Sequence, residues 1–421
     1  MKLPAVISGR LPAGALAYAL FVSVISSIIL SAIILGVYYH QIEYLDGRNG
    51  NRSLVNLSSA VNLSLAMEDL PYHVQQRFQL FENGDDSVSI TRQPWGLWDV
   101  LKVQSETGRW QHQKHYLRGY QRDEKGESSL FLVDEGRPMS VSGKAKISGV
   151  AYLPKAGVRS AYVGRIGYMN DQLLYGKRRE STEEMPVLNK KRLKTLEDFA
   201  RGNVRSLYPG VLQAADEDTI AFPFEYDQVL FRKAWNWELS DSLSGRIWLH
   251  ARNKIRVKAR AKLENVILTA PIVEIDSGFS GSLQVVATDT ILIGKNVRLE
   301  YPSFLGLINK KPPATIFMET GVEVNGVILM TGNERLFRQR ILAIPDGATV
   351  NGQIYCQGMA EVQGTINGHL TARKFLINTF SGVYENYVFN TQLDAAALHP
   401  EFVGGDLWFY RNRKEVMQWL D

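Results

Sequence analysis

The 421-residue chain is 45% hydrophobic and 22% charged, too apolar for a disordered chain and too long for one typical domain. Its formal net charge of +5 is small for that length, which excludes a histone-like electrostatic binder, and no nucleic-acid partner is expected. With Cys356 as the only cysteine, neither an intramolecular disulfide nor a cysteine-based zinc site can form. The fold therefore rests on a packed core.

After a short N-terminal tail (residues 1–10), residues 11–39 carry no charged side chain. The run from Ala15 to Val37 is long enough to cross a hydrocarbon core of roughly 30 Å as a helix. It exceeds the apolar stretch of about 7–15 residues found in a cleaved signal. One transmembrane helix over 11–39 is expected. Lys2 and Arg10 precede it and Arg48 and Arg52 follow it. Arg10, close to the span, favours an inside N-terminus and an extracytoplasmic C-terminal region, periplasmic or at the cell surface. Leu54, Leu57, Val61 and Leu65 then recur at spacings of three and four, predicting an amphipathic helical extension over 40–68.

Lys2, Arg10 and Gly14, followed by Ala15 and a long apolar helix, resemble the leader of the pilin-like proteins of type IV pili and type II secretion. The resemblance covers about the first 65 residues and implies cleavage after Gly14 and a helix that enters a β-rich head. Ala19, the fifth residue after Gly14, stands where most major pilins carry Glu. An ordinary membrane anchor is the alternative.

Residues 69–140 read as a small β-rich domain, because polar and apolar positions alternate in the runs SVSIT, WDVLKVQS, HYLRGY and SLFLVDE. Trp95, Trp98 and Trp110 suit strand and core positions better than a carbohydrate platform. His112 and His115, three apart on one strand, face opposite ways and suggest no metal pair. Residues 141–245, beginning SVSGKAKISGVAYLPKAGV, read as the start of a solenoid interrupted by a basic helical insertion over 177–216. That insertion holds Lys177, Arg178, Arg179, Lys190, Lys191, Arg192 and Lys194, with a helix through Leu193, Leu196 and Phe199. A solvated basic stretch is expected there.

The strongest signal is internal repetition over 246–392. Segments align at Ile255, Val273, Ile291, Ile316, Leu342 and Ala360, in steps of 18, 18, 25, 26 and 18 residues. Apolar residues recur two positions after each start, at the strand period. A second strand follows, with Leu263 and Ile267, Val324 and Ile328, or Val350 and Ile354 facing inward. Gly278, Gly294, Gly321, Gly347 and Gly364 mark corners. The pattern predicts a parallel β-helix, or solenoid, of about six coils, with residues 393–421 as a terminal cap containing Trp408, Phe409, Tyr410, Val416, Trp419 and Leu420. Cys356 falls on the inward parity and reads as a buried thiol. The fold class is mainly β: a transmembrane helix, a small β-rich domain and a C-terminal parallel solenoid.

The enlarged steps place loops near Leu307 to Pro313 and Asn333 to Arg340, so Lys310, Lys311, Arg335, Arg338 and Arg340 are expected to form one basic face able to meet an anionic polymer, a glycan or lipid headgroups. No cofactor or metal is expected, since nucleophile-elbow, phosphate-loop and His-Glu zinc motifs are absent from the sequence. Glu274 and Asp276 are the only close outward carboxylates, too few for a polysaccharide-cleaving β-helix. The short glycine-marked coils resemble those of the polymer-forming bactofilins, and the whole arrangement resembles bacterial membrane-anchored β-solenoid proteins. Together these features read as a non-enzymatic, membrane-anchored envelope protein with a structural, scaffold or assembly role, part of a pilus-like or secretion apparatus with protein partners. A surface glycan-binding module or a polysaccharide-cleaving enzyme is the alternative.

Overall fold

The computed structural model describes residues 13–68, 70–80, 86–121, 128–212, 219–309, 311–380, 382–407 and 413–420. The tail with Lys2 and Arg10, the loop residue Lys310, and Trp408, Phe409 and Tyr410 of the expected cap lie outside them. The protein is mainly β, with one long apolar helix near its N-terminus. It divides into two compact units. The first takes the chain through Ala60 with Arg77–Ser89 and Gln104–Gln113; the second takes Val61–Gln76, Ile90–Val103 and Lys114–Asp421.

In the first unit, α1 (Ala13–Ala66) is one continuous helix of 54 residues. It is long and apolar enough to cross a membrane, and its most apolar window is covered by none of the described residues. Of the expected stripe, Leu57 and Val61 are buried and Leu65 is half-buried, whereas Leu54 is 47% exposed. Ser53, Asn56 and Ala60 widen the buried face, at the same spacing of three and four. The reason is the chemistry of what they meet: Ser53 Oγ lies 3.1 Å from Ser105 Oγ, and Asn56 Nδ2 donates to Thr107 Oγ1 at 3.2 Å. Earlier, Asp46 accepts from Trp110 Nε1 at 2.9 Å and pairs with Arg109. These contacts support the helix through Gly47, Asn49 and Gly50, where each glycine costs about 1 kcal/mol relative to Ala. At Gly50 a Cβ would press on the Trp110 ring at 3.3 Å.

Strands β1 (Gln76–Gln79), β2 (Asp86–Trp95), β3 (Trp98–Thr107) and β4 (Trp110–Gln121) follow one another in a sheet that Val403–Gly404 completes, and Lys414–Trp419 also pairs with β4. The turns Gly96-Leu97 and Gly108-Arg109 span two residues each, with glycine φ of +60° and +57°. Only antiparallel neighbours can be joined so tightly. Two expectations are corrected here. The run SLFLVDE supplies β5 (Ser128–Leu132), which leaves this sheet and pairs in parallel with Leu370–Ala372. The C-terminal segment, expected as a cap on the last coil, adds antiparallel strands to β4, with Trp419 opposite Tyr116.

In the second unit, eighteen strands of the described residues join into a sheet that closes on itself, and among these the registers are parallel except for the hairpin Leu376–Glu385. Ile255, Val273, Ile291, Ile316, Leu342 and Ala360 stand side by side in register, all with 0% exposure. The steps of 18, 18, 25, 26 and 18 are therefore the steps of the hydrogen-bonded ladder. A second inward column runs Leu249, Leu268, Val285, Leu305, Ile328, Ile354, Leu370 and Leu130. Ile267 is not in it. Being one residue from Leu268, it faces the other way, into a second core with Trp248, Val286, Phe304, Val327, Leu329 and Tyr355. Both faces of these strands are thus buried, which is why they read as unbroken apolar runs.

That second core is closed by α2 (Lys190–Ala200), which Asn189 caps by accepting from the Lys191 amide at 3.0 Å. Leu196 and Phe199 are buried, and the Phe199 ring lies 4.8 Å from that of Trp248. Trp95 and Trp98 join the same core, while Trp110 is half-buried and stacks on His112 at 6.0 Å. The insertion is therefore not simply a solvated basic stretch: its helix is a wall of the core, and Arg192 is buried.

Chain order and stacking order also differ. Residues expected to start the repeat pair with strands that follow it in the chain: Leu130 pairs Leu370, Val141 pairs Val388 and Ile147 pairs Leu393. Val211–Leu212 pairs with Val229–Leu230, and Thr219–Phe222 with Ser242–Gly245 in a separate three-stranded sheet. An unpaired parallel edge exposes a row of backbone donors and acceptors, and the earlier segment covers the edge of the strands through Leu370 and Leu393.

Three Asn-Gly pairs, Asn325-Gly326, Asn351-Gly352 and Asn367-Gly368, stack in register. The glycines take φ of +155°, +152° and +140°, and a Cβ on any of them would strike a carbonyl of the neighbouring strand. Gly352→Ala is expected to cost roughly 3 kcal/mol. Gly278→Ala, at φ +82° with open space around it, should cost about 1–2 kcal/mol. Urea unfolding followed by circular dichroism compares the two, and equal losses would remove the steric explanation.

Candidate functional site

The five residues expected to form a basic face are placed very differently. Lys310 lies outside the described residues; Lys311 and Arg335 are exposed. Arg338 is exposed but pairs through two nitrogens with Glu385, Nη2 to Oε2 at 3.2 Å, and Lys374 donates to the same carboxylate at 3.2 Å. Arg340 is fully buried, which corrects its placement on the surface. Its Nη2 donates to the Gln357 and Asn333 carbonyls at 2.8 and 2.9 Å, so the side chain fastens its own loop. An open cationic face of all five does not exist.

A buried ionic cluster, unmarked by any motif, centres on Asp99 of β3. The apolar run around it, WDVL, makes a carboxylate there conspicuous. Arg92 Nε donates to it at 2.9 Å, Arg118 Nη2 at 3.0 Å, Arg192 through Nη1 at 3.0 Å and Nη2 at 2.9 Å, and the Tyr72 hydroxyl at 3.0 Å. Arg192 also reaches Asp406, Nε to Oδ1 at 2.6 Å. Burial alone would raise the Asp99 pKa, but Arg192, Arg92 and Arg118 outweigh it and hold the carboxyl well below the usual range. The cluster ties β2, β3, β4, α2 and the C-terminal segment together.

Elsewhere, chemistry is muted. Cys356 is buried, its thiol pushed up to about 12 chiefly by desolvation, with the Met330 sulfur 4.0 Å away. Among the described residues no group of three or more His, Cys, Asp or Glu is placed to hold a metal ion. Glu274 and Asp276 are occupied by Lys254 at 2.6 Å and Arg256 at 2.8 Å.

A concavity lies beside the asparagine column. It is a cleft of about 370 Å³ lined by Tyr301, Asn325, Asn351, Leu398, Glu401 and Phe402, with Ala397 and His399 at the same segment. Asn351 Nδ2 donates to Asn325 Oδ1 and Asn367 Nδ2 to Asn351 Oδ1, each at 2.8 Å. Asn325 Nδ2 reaches the Leu299 carbonyl at 3.0 Å, and both Asn325 and Asn351 donate to Glu323 Oε1 at 3.3 Å. The opposite wall is held by Tyr301, whose hydroxyl donates to the Val403 carbonyl at 2.9 Å and whose ring lies 5.5 Å from that of Phe402. The repeated Asn-Gly pair is the sequence signal for this ladder.

Comparison with protein families, with characterised proteins and with solved structures finds no match.

Asp99→Asn removes the carboxylate shared by Arg92 and the buried Arg118 and Arg192 and is expected to cost about 3–5 kcal/mol, read as a lower urea midpoint. At Glu385 the Arg338 guanidinium, and then Lys374, push the carboxyl down to about 2 from 4.5. Because the folded pKa is depressed, this pairing contributes fully above pH 4.5 and is lost as pH falls towards about 2. Amide-exchange protection of the hairpin Leu376–Glu385, corrected for the intrinsic rate, should fall across that window in the wild type and be flat in Glu385→Gln.

Proposed function

We propose that this chain is a non-enzymatic, membrane-anchored scaffold of the bacterial envelope. In this reading the closed parallel sheet is a β-solenoid of about six coils, held by a single-pass helix with the C-terminal region extracytoplasmic. The observation that carries it is α1 itself: one helix has both an uncovered apolar stretch and a polar face locked to strand ends. An uncovered surface of that length is unfavourable in water and suited to lipid. Support for a scaffold comes from the sheet, whose strands are buried on both faces and leave little freedom for movement. The engaged carboxylates Glu274 and Asp276 favour this over cleavage of a polysaccharide. Its partners are then the bilayer and other envelope proteins.

Continuity of the helix from Ala13 into a β-rich head also favours a second reading, a pilin-type subunit of a pilus-like or secretion apparatus, processed after Gly14. Two measurements separate the readings. A permanent anchor stays in the membrane pellet through alkaline carbonate extraction, retains its residues before Gly14, and loses its head to protease added to spheroplasts. A mature N-terminus at Ala15 selects the pilin-type reading, and recovery in the soluble fraction overturns the membrane reading.

A further inference from the structure

The asparagine ladder uses up nearly all its donors. Each carboxamide has two N–H donors and an oxygen that can accept twice. Asn325 spends its donors on the Leu299 carbonyl and Glu323, and Asn351 spends its donors on Asn325 and Glu323. Each of these two oxygens accepts from the next amide in the column and retains a lone pair. The floor of the cleft therefore has acceptors to offer and no free amide donors.

The rim has the same sign. Glu401 adds a carboxylate, and no lysine or arginine is among the described lining residues. His399 Nδ1 accepts from the Glu401 amide at 3.3 Å, which places the ring proton on Nε2 in the neutral form and supplies one donor. Leu398, Phe402 and Tyr301 give the cleft apolar walls, and about 370 Å³ lies within the range of small-molecule sites. A ligand for this cleft carries several hydrogen-bond donors, no negative charge and an apolar face. Those three properties together describe a pyranose, whose hydroxyls radiate from a ring with a C–H face.

We propose that the cleft between the Asn325 and Asn351 amides and the segment 397–402 binds a neutral or amine-bearing saccharide unit and discriminates against acidic sugars. The site does not depend on membrane anchoring, so it stands or falls separately from the scaffold reading. It is also the opposite of the anionic-polymer preference expected from the basic loops.

The test uses the full chain in lauryldimethylamine oxide, a detergent without a sugar headgroup, with saturation-transfer NMR. The probes are methyl glucoside, glucosamine, glucuronate and, as a donor-rich molecule that is not a sugar, spermidine. Methyl glucoside and glucosamine are expected to bind, with glucuronate weaker by about tenfold or more. Ala397→Trp fills the cleft from an exposed position and should abolish the signal, while circular dichroism reports an unchanged fold. Glu401→Gln should weaken glucosamine more than methyl glucoside. The proposal is overturned if no sugar binds, if glucuronate binds as well as the neutral sugar, if only spermidine binds, or if a folded Ala397→Trp variant binds unchanged.

Discussion

Every parallel strand has two edges of backbone donors and acceptors, and in this protein the need to satisfy them governs the rest of the second unit. Within the sheet each strand answers its neighbour at a fixed register, so side chains of like kind meet in columns. Inward columns of Ile, Leu and Val make the core; an outward column of asparagines makes a ladder of amides. The requirement also reaches across the chain. The strands through Leu370 and Leu393 would otherwise present an open edge, and the segment from Leu130 to Ile147 closes it.

A sheet buried on one face only would need no more than this. Here the outer face of the strands through Ile267, Val286 and Phe304 is also apolar and draws a cover of α2, Trp95 and Trp98. Covering it brings arginines into the interior. Asp99 is the answer to that charge, since its two oxygens accept from Arg92, Arg118 and Arg192 where water has been excluded. The ion cluster is less a source of stability than a condition for bringing these elements together.

What could be read from the sequence follows the same division. Spacing of apolar residues revealed the register, because a parallel ladder repeats the same environment at each step. It could not reveal the stacking partner of residues 128–180, since a glycine-marked strand reads alike at either end of a stack. Ile267 falls outside the column because Asn265, at φ +56°, breaks the strand alternation, so that Leu263 is followed inward by Val266 and Leu268. On α1 the apolar spacing marks Leu57 and Val61 but not the polar half of the buried face: Ser53 and Asn56 look solvated until the hydroxyls of Ser105 and Thr107 are set against them. Arg340 and Arg192 were counted as surface charge, whereas each guanidinium found a buried set of acceptors. The cleft was announced only faintly, by the recurring Asn-Gly pair, and its far wall comes from residues that no repeat predicts.

The junction between the first and last parts of the stack also sets a schedule. Ser128 and His369, hydrogen-bonded at 3.1 Å, lie 241 residues apart in the chain. At a translation rate of about 5–20 residues per second, the earlier segment waits roughly 10–50 s on the ribosome's product before its partner exists. Throughout that interval the strand at Ser128–Leu132 has no parallel neighbour at Leu370–Ala372. Closure of this sheet therefore waits on the synthesis of residues 370–372, and a cell making it has to shelter that edge of an apolar strand until they exist.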